Sequence, residues 1–306
     1  MRALLALSAI ALTAACSGLE QPLETSPPRA SATTLEPTAR SAPPPAAPPA
    51  APRAEPEVEP GRARRTTRDF VVDYPAALAA DADAVVAATT AAIRALEAWS
   101  EVSFADVLDG GALTVRVAVP EERRVGPGGV EVRSAFRGAA LAAAVDVLAP
   151  SAYPAGVGTL LGEPLDERHL RRRLTHGAGA LFARRLRRIA GGWDLDAAPP
   201  WFVHGVSEWL ALTLHEGADA AFERLLRATA EPAADDAGAL RVRSELVDGA
   251  LTLRFLAERR GATSVRTLLL DSGATFGAGL RRVYGLDEAD LPLALAAWRA
   301  QRLDAR

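Results

Sequence analysis

The hydrophobic and polar positions change period along the chain. Residues 68–74 and 112–119 alternate as half-buried strands do, and the apolar run 140–148 predicts a third strand. Residues 81–99 carry Val85, Ile93 and Leu96 at helical spacing. Beyond residue 165 the pattern is helical almost to the end. A mixed α/β half followed by an all-helical half predicts an α+β fold with two lobes.

The helical half divides at turn-forming residues. The predicted helices are 165–190, 200–215, 219–229, 244–260, 263–272, 275–284 and 287–303. Ser244 is expected as an N-cap, and Gly261, Gly273 and Gly285 stand just past predicted helix ends. The sequence VGPGGV at 125–130 predicts a turn in the first half.

The first residues have the layout of a cleaved export signal. Residues 1–15 contain Arg2, then an apolar run too short to span a bilayer, then small residues before Cys16. The stretch LTAAC resembles a bacterial lipobox, which implies lipidation of Cys16. Ser17 resembles the outer-membrane sorting pattern. We therefore expect the protein to bind the membrane through this lipid anchor. We expect it to lie outside the cytoplasm, at the outer membrane.

Residues 16–65 are rich in proline and alanine and nearly free of large apolar side chains. Such a segment buries too little surface to fold, so it is expected to be a disordered tether. The folded domain is expected at 66–306. Its predicted sub-lobes are about 66–192 and 199–306.

Composition narrows the classes of function. The 306 residues are 49% hydrophobic and 24% charged, with a net charge of −3, which is typical of a soluble globular protein. This charge balance, with no aromatic residues among the basic clusters, argues against a nucleic-acid partner. Because Cys16 is the only cysteine, the stability of the domain depends on its core rather than on an internal disulfide.

One predicted helix, 165–190, has an unusual centre with the sequence LTHGAGALFA. Its larger apolar residues form one stripe: Leu170, Leu174, Leu181, Phe182, Leu186 and Ile189. His176 lies on another face. Gly177 and Gly179 each cost about 1 kcal/mol relative to alanine within a helix, so they predict close packing by another element. The next helix places His204 and Glu208 four residues apart on one face.

These two helices resemble the peptidase MA-like gluzincin metallopeptidases. That family has H-E-x-x-H on one helix and a motif close to P-x-W-x-x-E-G-x-A-E on the next. The resemblance implies a zincin-like fold with His176 at the first zinc-ligand position. It places Gly177 where the general base stands and Ala180 where the second ligand stands. His204 occupies the position of the third ligand, a glutamate, and Glu208 matches the later acid.

The resemblance therefore implies a metallopeptidase centre that has lost its chemistry. A positioned general base contributes roughly 10²- to 10⁴-fold in rate, and catalytic zinc normally has three protein ligands. We expect no catalytic residue and no cofactor, and a binding or scaffolding role, with a peptide or an envelope protein as ligand. The alternative is an active zinc metallopeptidase with His176, His204 and Glu208 as its altered ligand set.

Other polar residues have simpler interpretations. His215 is expected to face the negative end of a helix dipole, and His169 to be solvated. Ser207 lies within a helix rather than at a strand-to-helix elbow, which argues against a nucleophile. The arginine runs 171–173 and 184–188 are expected to form a solvated face, although they could also meet an anionic partner.

Overall fold

A computed structural model describes residues 59–119, 130–137, 140–153, 166–230 and 237–304. The strands in these ranges are β1 (Arg62–Thr66), β2 (Val71–Pro75), β3 (Ala112–Ala118), β4 (Val130–Arg137) and β5 (Ala140–Leu148). The helices are α1 (Ala79–Ser100), α2 (Phe104–Leu108), α3 (Glu167–Ala190), α4 (Pro200–Thr213), α5 (Ala218–Ala230), α6 (Ala237–Arg260), α7 (Thr263–Leu269), α8 (Phe276–Tyr284) and α9 (Leu291–Asp304). The α+β class is confirmed.

The five strands form one mixed sheet in the order β1-β2-β3-β5-β4. The inner strands β2, β3 and β5 are parallel, and the two edge strands β1 and β4 are antiparallel to their neighbours. Helices α1 and α3 pack against one face of this sheet. Val72, Val115 and Val145 are buried on that face. The predicted strands 112–119 and 140–148 match β3 and β5.

Two edge strands were not predicted. Arginine conceals the alternating pattern in β1, whose Arg62 donates to Asp73 at 2.7 Å and to the Val117 carbonyl at 3.0 Å. In β4, Arg133 pairs with the buried Asp146 of β5. The charged residues of β1 and β4 are therefore paired with acceptors on other strands of the sheet. A polarity pattern does not detect such strands, because their charged residues look like those of a loop. The short helix α2 was also missed.

Helix α1 confirms the predicted helix 81–99. Among the described residues it is the helix long and apolar enough to cross a membrane by length and composition. Val85, Ile93 and Leu96 are at most 4% exposed and belong to the main core. Since its apolar side packs against the sheet and α3, α1 occupies the place of a core helix.

Helices α4 and α6 cross at very short range. A Cβ atom added to Gly205 would lie 2.5 Å from the Cα atom of Gly249, so the crossing requires glycine at both positions. Helix α6 begins at Ala237, well before the predicted start, and Ser244 is therefore not its N-cap. The resulting contact fixes α4, and with it Glu208, relative to the helical half.

Other helix ends show which turn signals were reliable. Gly261 and Gly285 have φ angles of 89° and 66° and follow α6 and α8, as predicted. Gly273 does not follow a helix end directly, because α7 stops at Leu269. The predicted turn at 125–130 lies outside the described residues except for Val130, which begins β4. The signal peptide, Cys16 and most of the tether also lie outside them.

Candidate functional site on α3 and α4

The buried apolar stripe of α3 determines which way the polar face of the helix points. Asp166 caps the helix by accepting from the backbone N–H groups of Arg168 and His169 at 2.9 and 3.1 Å. The predicted core residues Leu170, Leu174, Leu181, Phe182 and Leu186 are at most 2% exposed. Ile189 was wrongly included, since it is 53% exposed in the last turn. The polar face is consequently held in a fixed rotation about the helix axis.

Gly177 and Gly179 bring α3 close to its neighbours, as predicted. A Cβ atom on Gly177 would meet the Val145 and Val132 side chains at 3.0 and 3.4 Å. A Cβ atom on Gly179 would meet the Leu210 side chain at 3.2 Å. The position that the gluzincin resemblance gives to the general base is therefore pressed against β4 and β5, with no room for a longer side chain.

His176 of α3 and Glu208 of α4 form a direct contact. The His176 Nδ1 atom lies 2.8 Å from the Glu208 Oε2 atom, and Glu208 is 8% exposed. Although burial opposes it, the charge of Arg173 and the bond from His176 bring the pKa of Glu208 far below its usual range. Since the ionised carboxylate can only accept, Nδ1 of His176 carries the proton.

The imidazole of His176 is neutral at neutral pH. Its burial lowers its pKa below the ordinary value of 6.5, and the Arg173 charge acts in the same direction. The bond to Glu208 acts the other way but is outweighed. A neutral imidazole with its proton on Nδ1 leaves the Nε2 lone pair as an acceptor.

Two arginines of the RRR run flank the same carboxylate. The Arg172 Nη2 atom lies 3.6 Å from Glu208 Oε1, and the Arg173 Nη1 atom lies 3.5 Å from Glu208 Oε2. Each side chain is only 12% exposed. The expectation of a solvated arginine face is therefore wrong at these positions. It is also wrong for Arg187, which is 4% exposed. We call His176, Glu208, Arg172 and Arg173 the Glu208 cluster.

His204 is near enough to the Glu208 cluster for its charge to help lower the pKa of His176, but its ion pair is with a different carboxylate. Its side chain is 54% exposed, and its Nε2 atom lies 3.9 Å from Glu245 Oε2 of α6. Ala180, at the other expected ligand position, offers only a methyl group. Of the three residues in the alternative ligand set, the structure joins His176 to Glu208 and gives His204 a different carboxylate.

The donor set of this site does not fit zinc. Catalytic zinc takes three protein ligands, whereas the cluster offers one imidazole nitrogen and a carboxylate already bonded to that imidazole. Two guanidinium groups beside the carboxylate repel a divalent cation. Within the described ranges, no group of three or more His, Cys, Asp and Glu residues is placed to hold a metal ion.

The remaining candidates have structural partners. The His215 Nε2 atom lies 2.7 Å from Thr175 Oγ1 of α3, while its position beside the helix dipole stays a prediction. Since Thr175 donates to the Arg171 carbonyl, it accepts the proton of Nε2. The ring of His169 lies edge-on to Tyr153, with centroids 5.7 Å apart, rather than in solvent. Ser207 is buried within α4 at 3% exposure.

The sequence reasoning missed Arg172 and Arg173 as parts of this site. The two arginines precede His176 by four and three residues, which places them on its side of the helix. That spacing was a usable signal.

Comparison with known proteins gave no further guidance. No family model, no curated protein and no solved structure matches the chain.

Proposed function

We propose that this protein is a non-catalytic member of the zincin-like fold that binds a peptide or protein ligand in the cell envelope. One observation carries the proposal: two arginines flank the carboxylate beside His176, the residue that the gluzincin resemblance puts at the first zinc-ligand position. The steric limit at Gly177 supports it, because a general base has no space there.

Edge strand β4 is the surface that we assign to the ligand. Among the described residues no strand pairs with its outer edge, so its backbone groups can accept an added strand. The neighbouring helix α3, which also carries His176, packs Gly177 against Val132 of β4. A peptide bound along β4 would pass the Glu208 cluster.

The experiment compares the purified 306-residue chain in mild detergent with its His176→Ala variant. We expect less than stoichiometric zinc by elemental mass spectrometry in both proteins, and no peptide hydrolysis that a zinc chelator abolishes. The matched control is His215→Ala, which removes a nearby imidazole that does not contact Glu208. Stoichiometric zinc that is lost only in His176→Ala, together with chelator-sensitive hydrolysis, would establish the active metallopeptidase instead.

The anchor is a separate part of the proposal. We propose that Cys16 is lipidated and that the protein is held at the outer membrane, outside the cytoplasm. Replacement Cys16→Ser should move the protein from the membrane fraction to the soluble fraction, and Ser17→Ala should leave it in the membrane fraction. A Cys16→Ser protein that remains membrane-bound would show that something other than an acyl chain holds it.

A further inference from the structure

A cavity of about 320 Å³ lies between the N-terminal parts of α1 and α3. Its apolar walls are Ala84 and Ala87 of α1, Pro150 and Tyr153 from the segment after β5, and Leu170 of α3. Small-molecule sites have volumes of about 300–1,000 Å³, so this cavity suits one extended side chain better than a whole cofactor. The two alanines offer only methyl groups and therefore leave room for an alkyl chain.

The walls of the cavity are held in place by contacts within the fold. Asp81 of α1 accepts from the backbone N–H and from the hydroxyl group of Ser151 at 2.7 and 2.8 Å. The ring of Tyr153 lies edge-on to that of His169 of α3. Leu170 is 1% exposed and belongs to the main core. The cavity is therefore formed before a ligand arrives, which lowers the entropic cost of binding.

Two exposed carboxylates, Asp166 and Glu167, also border the cavity. Asp166 Oδ1 accepts both capping bonds from backbone N–H groups, and among the described residues this side chain has no cationic partner. Glu167 pairs through Oε1 with Arg171 at 2.9 Å and is 70% exposed. The positive end of the α3 dipole, about half an elementary charge, offsets only part of the Asp166 charge. The solvent side of the cavity therefore favours a cation.

Apolar walls with carboxylates at the solvent side match an alkyl chain that ends in a positive charge. A lysine side chain has this form, with an apolar stem and a compact ammonium group that carries three donors. Two separate carboxylates suit these diverging donors better than they suit the planar fork of arginine. We propose that this cavity binds a lysine side chain of the peptide ligand.

This inference rests on the proposed function, because the lysine belongs to the same ligand. Strand β4 begins at Val130, which is paired in register with Val147 near the end of β5. Pro150 follows three residues later, so the start of β4 and the cavity lie at the same end of the sheet.

Calorimetric titration of the 306-residue chain in mild detergent tests the inference. The first probe is an alanine pentapeptide, blocked at both ends, with lysine at its centre. The second carries norleucine there, which keeps the alkyl stem without the charge, and the third carries arginine. The fourth probe is n-butylamine. We expect the lysine peptide to bind about fivefold or more tightly than the norleucine peptide, and more tightly than the other two probes.

Substitutions assign the effect to the cavity. The double variant Asp166→Asn/Glu167→Gln removes both charges, and asparagine still caps the helix, so circular dichroism should not change. This variant should abolish the preference for lysine over norleucine. Ala87→Leu fills the cavity from an exposed position and should weaken both peptides alike. The matched control is Asp194→Asn, because Asp194 also caps a turn, by accepting from the Asp196 backbone N–H at 3.0 Å, and does not border the cavity. It should bind like the unmodified chain.

Three results would overturn the inference: equal affinity for the lysine and norleucine peptides, a lysine preference that survives the double variant, and no binding of the lysine peptide. Arginine binding as tightly as lysine would overturn the choice of side chain. Butylamine binding as tightly as the lysine peptide would overturn the peptide as the source of the ammonium group. The proposed function fails on a different result, namely zinc-dependent hydrolysis, so the two failures are distinguishable.

Discussion

The two ends of α3 use buried arginine in different ways. At the C-terminal end, Arg187 donates to the carbonyl oxygens of Trp193, Leu269, Asp271 and Gly191. Its guanidinium group also lies 3.8 Å from the centroid of the Trp193 ring. At the N-terminal end, Arg173 has one distant carboxylate neighbour and an unmatched Nε atom.

The two arginines differ in how many acceptors the fold gives them. The donors of Arg187 are satisfied by backbone groups from the loop after α3 and from the end of α7, so the residue joins parts of the fold. Arg173 donates from Nη1 to Glu208 at 3.5 Å, and among its buried atoms only Nε has no hydrogen-bond partner within the described residues. Both arginines lie in similar basic runs, and only their acceptors distinguish them.

The largest expected effect comes from removing the satisfied arginine. Arg187→Gln leaves several buried carbonyl groups without a donor, so we expect the free energy of unfolding to fall by about 3–5 kcal/mol. Urea denaturation followed by tryptophan fluorescence measures it. Arg188→Gln, at the adjacent exposed position, should change stability by less than about 0.5 kcal/mol. An equally small change in Arg187→Gln would mean that these carbonyl contacts contribute little.

Much of this fold was predictable because it depends on local periodicity. The spacing of apolar residues predicts the strands β3 and β5 and the helices from α3 onward. Gly177 and Gly179 predict the close packing of α3. The polar site was harder to predict from the sequence. Nothing local to Arg173 or Arg187 reveals whether its acceptor is a carboxylate, a carbonyl group or a ligand, because those acceptors come from α4, from α7 and from loops. Long-range partners decide the role of a charged residue.

The second prediction concerns pH and the N-terminal half of α3. Burial and the charges of Arg171 and Arg172 lower the pKa of His215 to about 4, from an unfolded value of 6.5. The unfolded chain therefore binds the proton first, and the stability contributed by the neutral imidazole is lost as pH falls from 6.5 towards 4. Partial solvent exposure reduces the effect to about 1 kcal/mol.

Unfolding free energies measured at pH 7 and pH 4.5 test this dependence. The loss on acidification should be smaller in His215→Asn than in the unmodified chain. His204→Asn is the control, because that exposed imidazole pairs only distantly with Glu245, and its loss should equal that of the unmodified chain. If His215→Asn loses as much stability as His204→Asn, the acid sensitivity arises elsewhere.

The smallest expected effect concerns Arg173 itself. At pH 7, Arg173→Gln should lower the free energy of unfolding by less than Arg187→Gln does, because the buried Glu208 carboxylate keeps its short bond to His176 and its contact with Arg172 and so is not left uncompensated. The same urea titration that measures Arg187→Gln measures this variant. A loss as large as that of Arg187→Gln would assign Arg173 to the fold.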